Sequence, residues 1–302
     1  VSVEGNSRIR LVRLPAPEIA LVAVGVVFLY YPLALYLSEK WKSLPEFSHG
    51  YLIPLISLYL VWRRREAIAA APRAPSALGV LIAGASLVLL LAANLGAIKT
   101  VACYSFITLL IGIVLAVWGK HVLKLVLFPL VFMVFMIPIF TFILTPITFS
   151  MKIIAAKLAT GTVKALGVSI YREGAVLYLP NAVIEVADAC SGIRSLFALL
   201  ALGAVYAYLF QGKAWERLSL FLVGIPIAIG ANYVRVTFLT LVAYQFGVDA
   251  SLPGEGWFAG GRVHPGTIVH DVSGFSVFVI AFTLLFSVGR FLEWRRPAST
   301  AG

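Results

Sequence analysis

The sequence reads as an all-α protein that crosses a membrane about eight times. Three observations lead there: an apolar composition, apolar runs of spanning length, and basic residues concentrated in alternate connecting segments. The 302 residues are 61% hydrophobic and 12% charged. Soluble domains run near 45–50% apolar and about 25% charged. Folded surface grows too slowly with mass for a soluble fold to hide that excess, so the solvent is lipid.

A helix needs about 20 apolar residues to cross roughly 30 Å of hydrocarbon. That window predicts spans near 18–37, 76–97, 100–118, 122–144, 195–210, 218–247 and 267–289. A shorter run over 51–62 extends back to Phe47 and supplies the second of eight spans. The first run follows Arg8, Arg10 and Arg13, with no small-residue cleavage site before Ser38, and is read as a retained span.

The net charge of +11 has two readings, a nucleic-acid surface or a topology signal. With both termini inside, the inner segments take Arg8, Arg10, Arg13, Arg63, Arg64, Arg65, Arg73, Lys120, Lys124, Lys213, Arg217, Arg290, Arg295 and Arg296. The outer basic residues are fewer and spread over longer loops, which fits the positive-inside rule and requires no nucleic-acid partner. The chain is thus expected to be one membrane domain, with cytoplasmic tails at 1–17 and 290–302 and an extracytoplasmic insert at 145–190.

Within that insert, Ser150–Leu166 sets Lys152, Lys157 and Lys164 among Ile, Ala and Leu, the pattern of an amphipathic helix at the interface. The period then changes. Residues 176–179 and 182–186 read as two short strands around Pro180-Asn181, a hairpin that delivers the chain to Asp188-Ala189-Cys190-Ser191-Gly192.

Two cysteines exclude a disulfide scaffold. Cys103 sits in the apolar run 101–117 and reads as a packing residue. Cys190 has two readings, a reactive thiol or an inert cysteine at a helix end. A helix starting near Ser191, capped by Asp188 or Ser191, turns its positive dipole toward the thiol and favours thiolate. Arg194, one turn on, acts in the same direction and Asp188 opposes it.

Arg235 lies deep in an apolar run, three residues from Asn232 and on the same helix face. A buried arginine is costly in lipid unless it faces protein or a water-filled cavity. Pro226 and Gly230 upstream are expected to kink that helix. His270 opens the last span at the outer face. Alone it is an interfacial anchor as readily as a catalyst. With Cys190 and Arg235 expected at the same face, the set supplies a nucleophile, an acid/base and a fixed positive charge for an oxyanion or a substrate carboxylate.

Ala189-Cys190-Ser191-Gly192-Ile193-Arg194-Ser195-Leu196, Asn232-Tyr233-Val234-Arg235, and His270 with Gly274 resemble three blocks of the exosortase family. Ser48-His49-Gly50-Tyr51-Leu52-Ile53-Pro54 with Trp62-Arg63-Arg64, Met136-Ile137-Pro138, Glu185-Val186-Ala187 and Ile225-Pro226 also fit, over roughly residues 20–290. The resemblance implies a cysteine protease/transpeptidase of the bacterial inner membrane. Its substrates would be exported proteins with a C-terminal sorting signal: a short motif, often Pro-Glu-Pro, a transmembrane helix and a basic cluster. The acyl group would pass to an acceptor nucleophile, for instance on a cell-surface polymer linked to exopolysaccharide. By the match Cys190 is the nucleophile, Arg235 the sortase-like arginine and His270 the general acid/base. His49, Glu185, Asp188, Arg194 and Asn232 are further site candidates. Membrane lipid is the surrounding partner, and no cofactor or metal is expected.

Three other readings compete. A transporter would line its path with Asn232, Arg235 and His270. A polyprenyl-phosphate transferase would set Arg194, Arg235 and Arg262 on lipid phosphates, but normally needs paired acids for a metal, and the outer loops show no Asp-rich motif. A zinc site would draw on Cys190, His264 and His270, whose spacing matches no known ligand pair.

Overall fold

In the computed structural model, residues 16–138, 141–186, 192–247 and 265–295 are described, and they divide into two units, Val1–Pro138 and Ile139–Gly302. Among the described residues, six helical segments are long and apolar enough to cross a membrane. The chain is a multi-pass, almost entirely helical membrane protein with one small sheet.

The first unit holds α1 (Ala16–Ser43), a 3-10 turn (Pro45–Tyr51), α2 (Leu52–Arg63), α3 (Arg65–Ala70), α4 (Ala77–Leu95), α5 (Lys99–Val117), α6 (Lys120–Phe132) and a second 3-10 turn (Met133–Met136). Small residues bring α4 and α5 together. A Cβ on Gly112 would stand 2.6 Å from the Ala83 backbone nitrogen, and one on Gly79 would strike the Ala116 backbone. One turn along, Ser86 Oγ donates to Thr108 Oγ1 at 2.9 Å. Lipid gives two helices no hydrophobic reason to meet, so close backbone approach and hydroxyl pairs do the joining.

The loop between α1 and α2 is built around Trp41. Its Nε1 donates to the Met136 carbonyl at 2.8 Å, and its ring meets Tyr51 edge-on at 4.8 Å. A Cβ at Gly50 would collide with the indole. Gly50 and Tyr51, read from sequence as part of a motif, therefore seat a tryptophan.

The second unit holds α7 (Thr141–Ala165), β1 (Tyr171–Glu173), β2 (Val176–Leu179), β3 (Ala182–Glu185), α8 (Ile193–Leu209), α9 (Ala214–Leu222), α10 (Gly224–Phe246) and α11 (Pro265–Trp294). The sheet is antiparallel in the order β1-β2-β3, with Leu179 opposite Ala182 across Pro180-Asn181. Its buried face carries Leu177, Leu179, Ala182 and Ile184. These pack on Ala155, Ala156, Ala159 and Val163 of α7 and on Val236, Leu239 and Ala243 of α10. Asn181 Nδ2 donates to the Tyr244 carbonyl at 2.6 Å and pins the turn to α10.

Four expectations need correction. The run at 122–144 is not one helix: α6 ends at Phe132, a 3-10 turn follows, and α7 begins at Thr141. Pro129 lies within α6, and Pro138, which lacks an N–H and restricts the residue before it, closes that segment. The amphipathic helix expected at 150–166 belongs to the 25-residue α7, of which Phe142–Ala165 is itself apolar enough to cross. Lys152, Lys157 and Lys164 lower the hydropathy of this stretch and give it an interfacial pattern. The run at 47–62 forms a 3-10 turn and a 12-residue helix, too short to span alone. The run at 218–247 lies within one candidate span, Ala214–Phe246, whose helix is interrupted at Val223, three residues before Pro226, and not at Gly230. Proline cannot accept a helical place without removing a hydrogen bond and crowding the carbonyl four residues earlier. The hairpin is present as expected, and a third strand, β1, extends it.

Replacing Gly112 with alanine should push α4 and α5 apart and cost about 1–3 kcal/mol. Gly84, with open space around its Cβ position on the same α4, is the control, and Gly84→Ala should leave stability unchanged or slightly higher. Thermal unfolding of the two variants in detergent measures the difference.

Candidate functional site

The polar centre of the second unit is the four-residue segment Asn232–Arg235 of α10. An apolar span tolerates such residues only where protein satisfies them. Asn232 is 2% exposed, and Arg235 is half-buried. Three residues apart, they share one side of the helix, and each meets a different neighbour.

Asn232 meets Gly192. This glycine is the N-cap of α8, with φ of +78° in the left-handed region. A Cβ there would lie 2.7–2.9 Å from the Asn232 Cγ, Cβ and Nδ2. Two requirements therefore select glycine, a backbone angle that L side chains resist and an amide packed against its α-carbon. Ser195 Oγ donates to the Gly192 carbonyl at 2.8 Å, which tightens the first turn.

Arg235 meets α11. Its Nε donates to Ser273 Oγ at 3.3 Å, and Ser273 is 5% exposed. The guanidinium lies beside Gly274, where a Cβ would come within 3.4 Å of Nη2 and 3.7 Å of Cζ. Ser273 and Gly274 thus form a seat for the cation, one supplying an acceptor and the other the room. Between the two site positions, Tyr233 pairs its hydroxyl with Thr162 Oγ1 on α7 at 2.6 Å. One helical turn of α10 therefore binds α7, α8 and α11.

The remaining candidates fall as follows. Cys190 and Asp188 lie outside the described residues, two and four positions before Gly192 in sequence. Position 270 belongs to α11, three residues before Ser273 and four before Gly274, so it shares the helix face of the Arg235 seat. The His270 side chain is outside the described ones. Glu185 ends β3 and is exposed, paired in register with Val176. Arg194 is exposed in the first turn of α8. His49 sits in the first unit's 3-10 turn, where its ring stacks on Phe47 at 6.4 Å with both nitrogens buried.

The helix start differs from expectation. It opens at Ile193, with Gly192 rather than Asp188 or Ser191 as its N-cap. Cys103 is buried and unpaired within α5, as a packing residue should be. Among the described residues no three of His, Cys, Asp and Glu cluster at metal-binding range, and the Cys190, His264 and His270 side chains lie outside them.

Sequence reasoning missed Ser273, Thr162 and the reason for Gly192. Ser273 stands within the string that supplied His270 and Gly274, and a hydroxyl one turn from a histidine is too common a pattern to mark it.

These features define a multi-pass membrane protein with a polar site built on one turn of an apolar helix. The family model for the transmembrane exosortase matches residues 41–287, and the chain belongs to that family. It is thereby a sorting-related membrane enzyme at the level of the family. Neither the curated proteins nor the solved structures yield a match.

The Gly192–Asn232 contact can be tested by a double-mutant cycle. Gly192→Ala should lower stability by about 1–3 kcal/mol, from the left-handed backbone and the steric clash together. Adding Asn232→Ala removes the clashing Cγ and Nδ2 while the Cβ stays, so thermal melting of the double variant should show a loss smaller than the sum of the two single losses.

Proposed function

We propose that this protein is a membrane-embedded cysteine protease/transpeptidase that cleaves the C-terminal sorting signals of exported proteins. The observation that carries the reading is the double engagement of α10. Asn232 packs on Gly192, two residues after Cys190, while Arg235 is seated on Ser273-Gly274, one turn after position 270. Two residues of chain reach at most about 7 Å, so the cysteine's tether begins within short range of the Asn232–Arg235 face. Membership of the exosortase family supports the same assignment.

In this mechanism the Cys190 thiolate attacks the carbonyl carbon of the scissile peptide bond. His270 accepts the thiol proton as the thiolate forms. The carbon–sulfur bond forms, and the carbonyl electron pair moves to an oxyanion. Arg235 offers fixed positive charge to that oxyanion or to a substrate carboxylate, at no reorganisation cost because Ser273 and Gly274 hold it in place. Collapse breaks the carbon–nitrogen bond, and His270 gives its proton to the departing amine. An acceptor amine, hydroxyl or water then attacks the thioester carbon, giving its proton to the now neutral His270, and the Cys190 thiolate leaves. The substrate's own transmembrane helix would keep it in the bilayer beside the enzyme. The site would face the extracytoplasmic side of a bacterial inner membrane, with both termini inside.

Cys190→Ala should abolish processing of a co-expressed substrate that carries a sorting motif, transmembrane helix and basic cluster, followed as its shift in size. Wild type should accumulate a thioester-linked adduct that hydroxylamine releases. Processing that survives in Cys190→Ala would overturn the assignment and favour transport or lipid-phosphate chemistry at the arginine. Arg235→Lys retains the charge but loses the planar fork. Processing should fall about 100-fold or more while the folded yield is unchanged.

A further inference from the structure

The first unit contains an apolar groove that no part of the proposed chemistry uses. It runs along α1 from Val22 to Trp41 and is walled on the other side by α5 and the second 3-10 turn. Tyr30 joins the two helices, with its hydroxyl 3.0 Å from Ser105 Oγ and its ring 5.1 Å from Phe106. Farther along α1, Tyr36 reaches Thr100 at the start of α5, so the helices run antiparallel. Trp118, just past the end of α5, therefore closes the Val22 end of the groove, and Trp41 closes the other. Nineteen helical steps at 1.5 Å span about 28 Å, close to the roughly 30 Å hydrocarbon thickness. Tryptophans favour the two edges of that layer.

Width identifies the occupant. The empty space in the groove, its open side included, is about 1480 Å³. Spread over about 28 Å, this gives a mean cross-section of at most roughly 53 Å². A helix with side chains, about 10–12 Å across, would need roughly 80–110 Å². The walls also lack the small-residue stripe that lets helices approach, being mostly Val, Leu, Ile, Met and aromatic side chains. A slot this narrow and this dry suits a hydrocarbon chain. At its Trp41 end stand Lys40 and Lys42 in the last turn of α1 and Lys99 at the first turn of α5. Lys40 Nζ lies 5.7 Å over the Tyr36 ring, and Lys99 Nζ donates to Asn94 Oδ1 at 3.4 Å. Glu39 and Glu46 share that end, leaving one more positive than negative side chain there for a phosphate.

We propose that the Trp41 half of the groove between α1 and α5 holds the acyl chain of an anionic phospholipid, with its phosphate at the Lys40, Lys42 and Lys99 end. The lipid is a resident part of the first unit, and its presence does not depend on the chemistry of Cys190.

The test uses the full chain purified in mild detergent. Native mass spectrometry should show phospholipid retained at one per chain after detergent exchange, with phosphatidylglycerol preferred over phosphatidylethanolamine when both are supplied. Ala34→Phe, which fills the slot, should reduce retention at least tenfold. Lys40→Gln combined with Lys42→Gln should abolish the headgroup preference while a lipid is still bound. A second measurement avoids reliance on variants. In vesicles containing phosphatidylglycerol with a diazirine on its acyl chain, irradiated wild type should carry its adducts on the groove-lining peptides of α1 and α5. Absence of retained lipid, equal retention in Ala34→Phe, or adducts spread evenly over α4 as well would overturn the proposal. Cross-linking of a polypeptide into the groove would do so too, in favour of a helix.

Discussion

Burying charge in hydrocarbon is the constraint around which the second unit is organised. Arg235 and Asn232 occupy an apolar span, where an unsatisfied polar group costs several kcal/mol. The cost is met locally: Ser273 accepts from the guanidinium, Gly274 makes room for it, and Gly192 lies flat against the amide. Meeting it brings α8 and α11 onto the same turn of α10, so electrostatic satisfaction and helix packing are one arrangement. Tyr233 and Thr162 extend the arrangement to α7.

The first unit solves a different problem with different residues. Its paired spans carry almost no charge, and glycine, alanine and serine on α4 and α5 allow backbone contact where side chains would keep lipid between the helices. Where the facing walls of α1 and α5 are mostly larger side chains, a groove remains between them.

Much of this architecture was legible from residue type and spacing. The apolar runs located α1, α4, α5, α8, α10 and α11 because lipid selects for them directly, and a change of period located the strands on both sides of Pro180-Asn181. What escaped were interruptions inside apolar stretches. The break at Met133–Met136 sits where every residue is hydrophobic, so hydropathy is silent, whereas Pro226 marks the interruption at Val223 in the sequence itself. In the site, residue chemistry singled out Arg235 and Asn232 because polar groups are conspicuous in a span. It could not single out Ser273 or explain Gly192, whose importance lies in what a neighbouring helix presses against them. The start of α8 was misjudged because side-chain caps are visible in sequence, whereas a left-handed glycine works through its backbone.

The hydrogen bond from Asn181 to Tyr244 joins the sheet's turn to the far end of α10, and the buried faces of β2 and β3 lie along the same helix. Sheet and helix therefore form one lever. Tilting α10 would carry β3, and with it the origin of the strand leading toward Cys190, through the same arc as Arg235. The end of β3 and the cation are thus carried by one packed assembly. Alignment with α11 depends on a seat of one serine and one glycine, and this seat is where motion of the lever would first be felt.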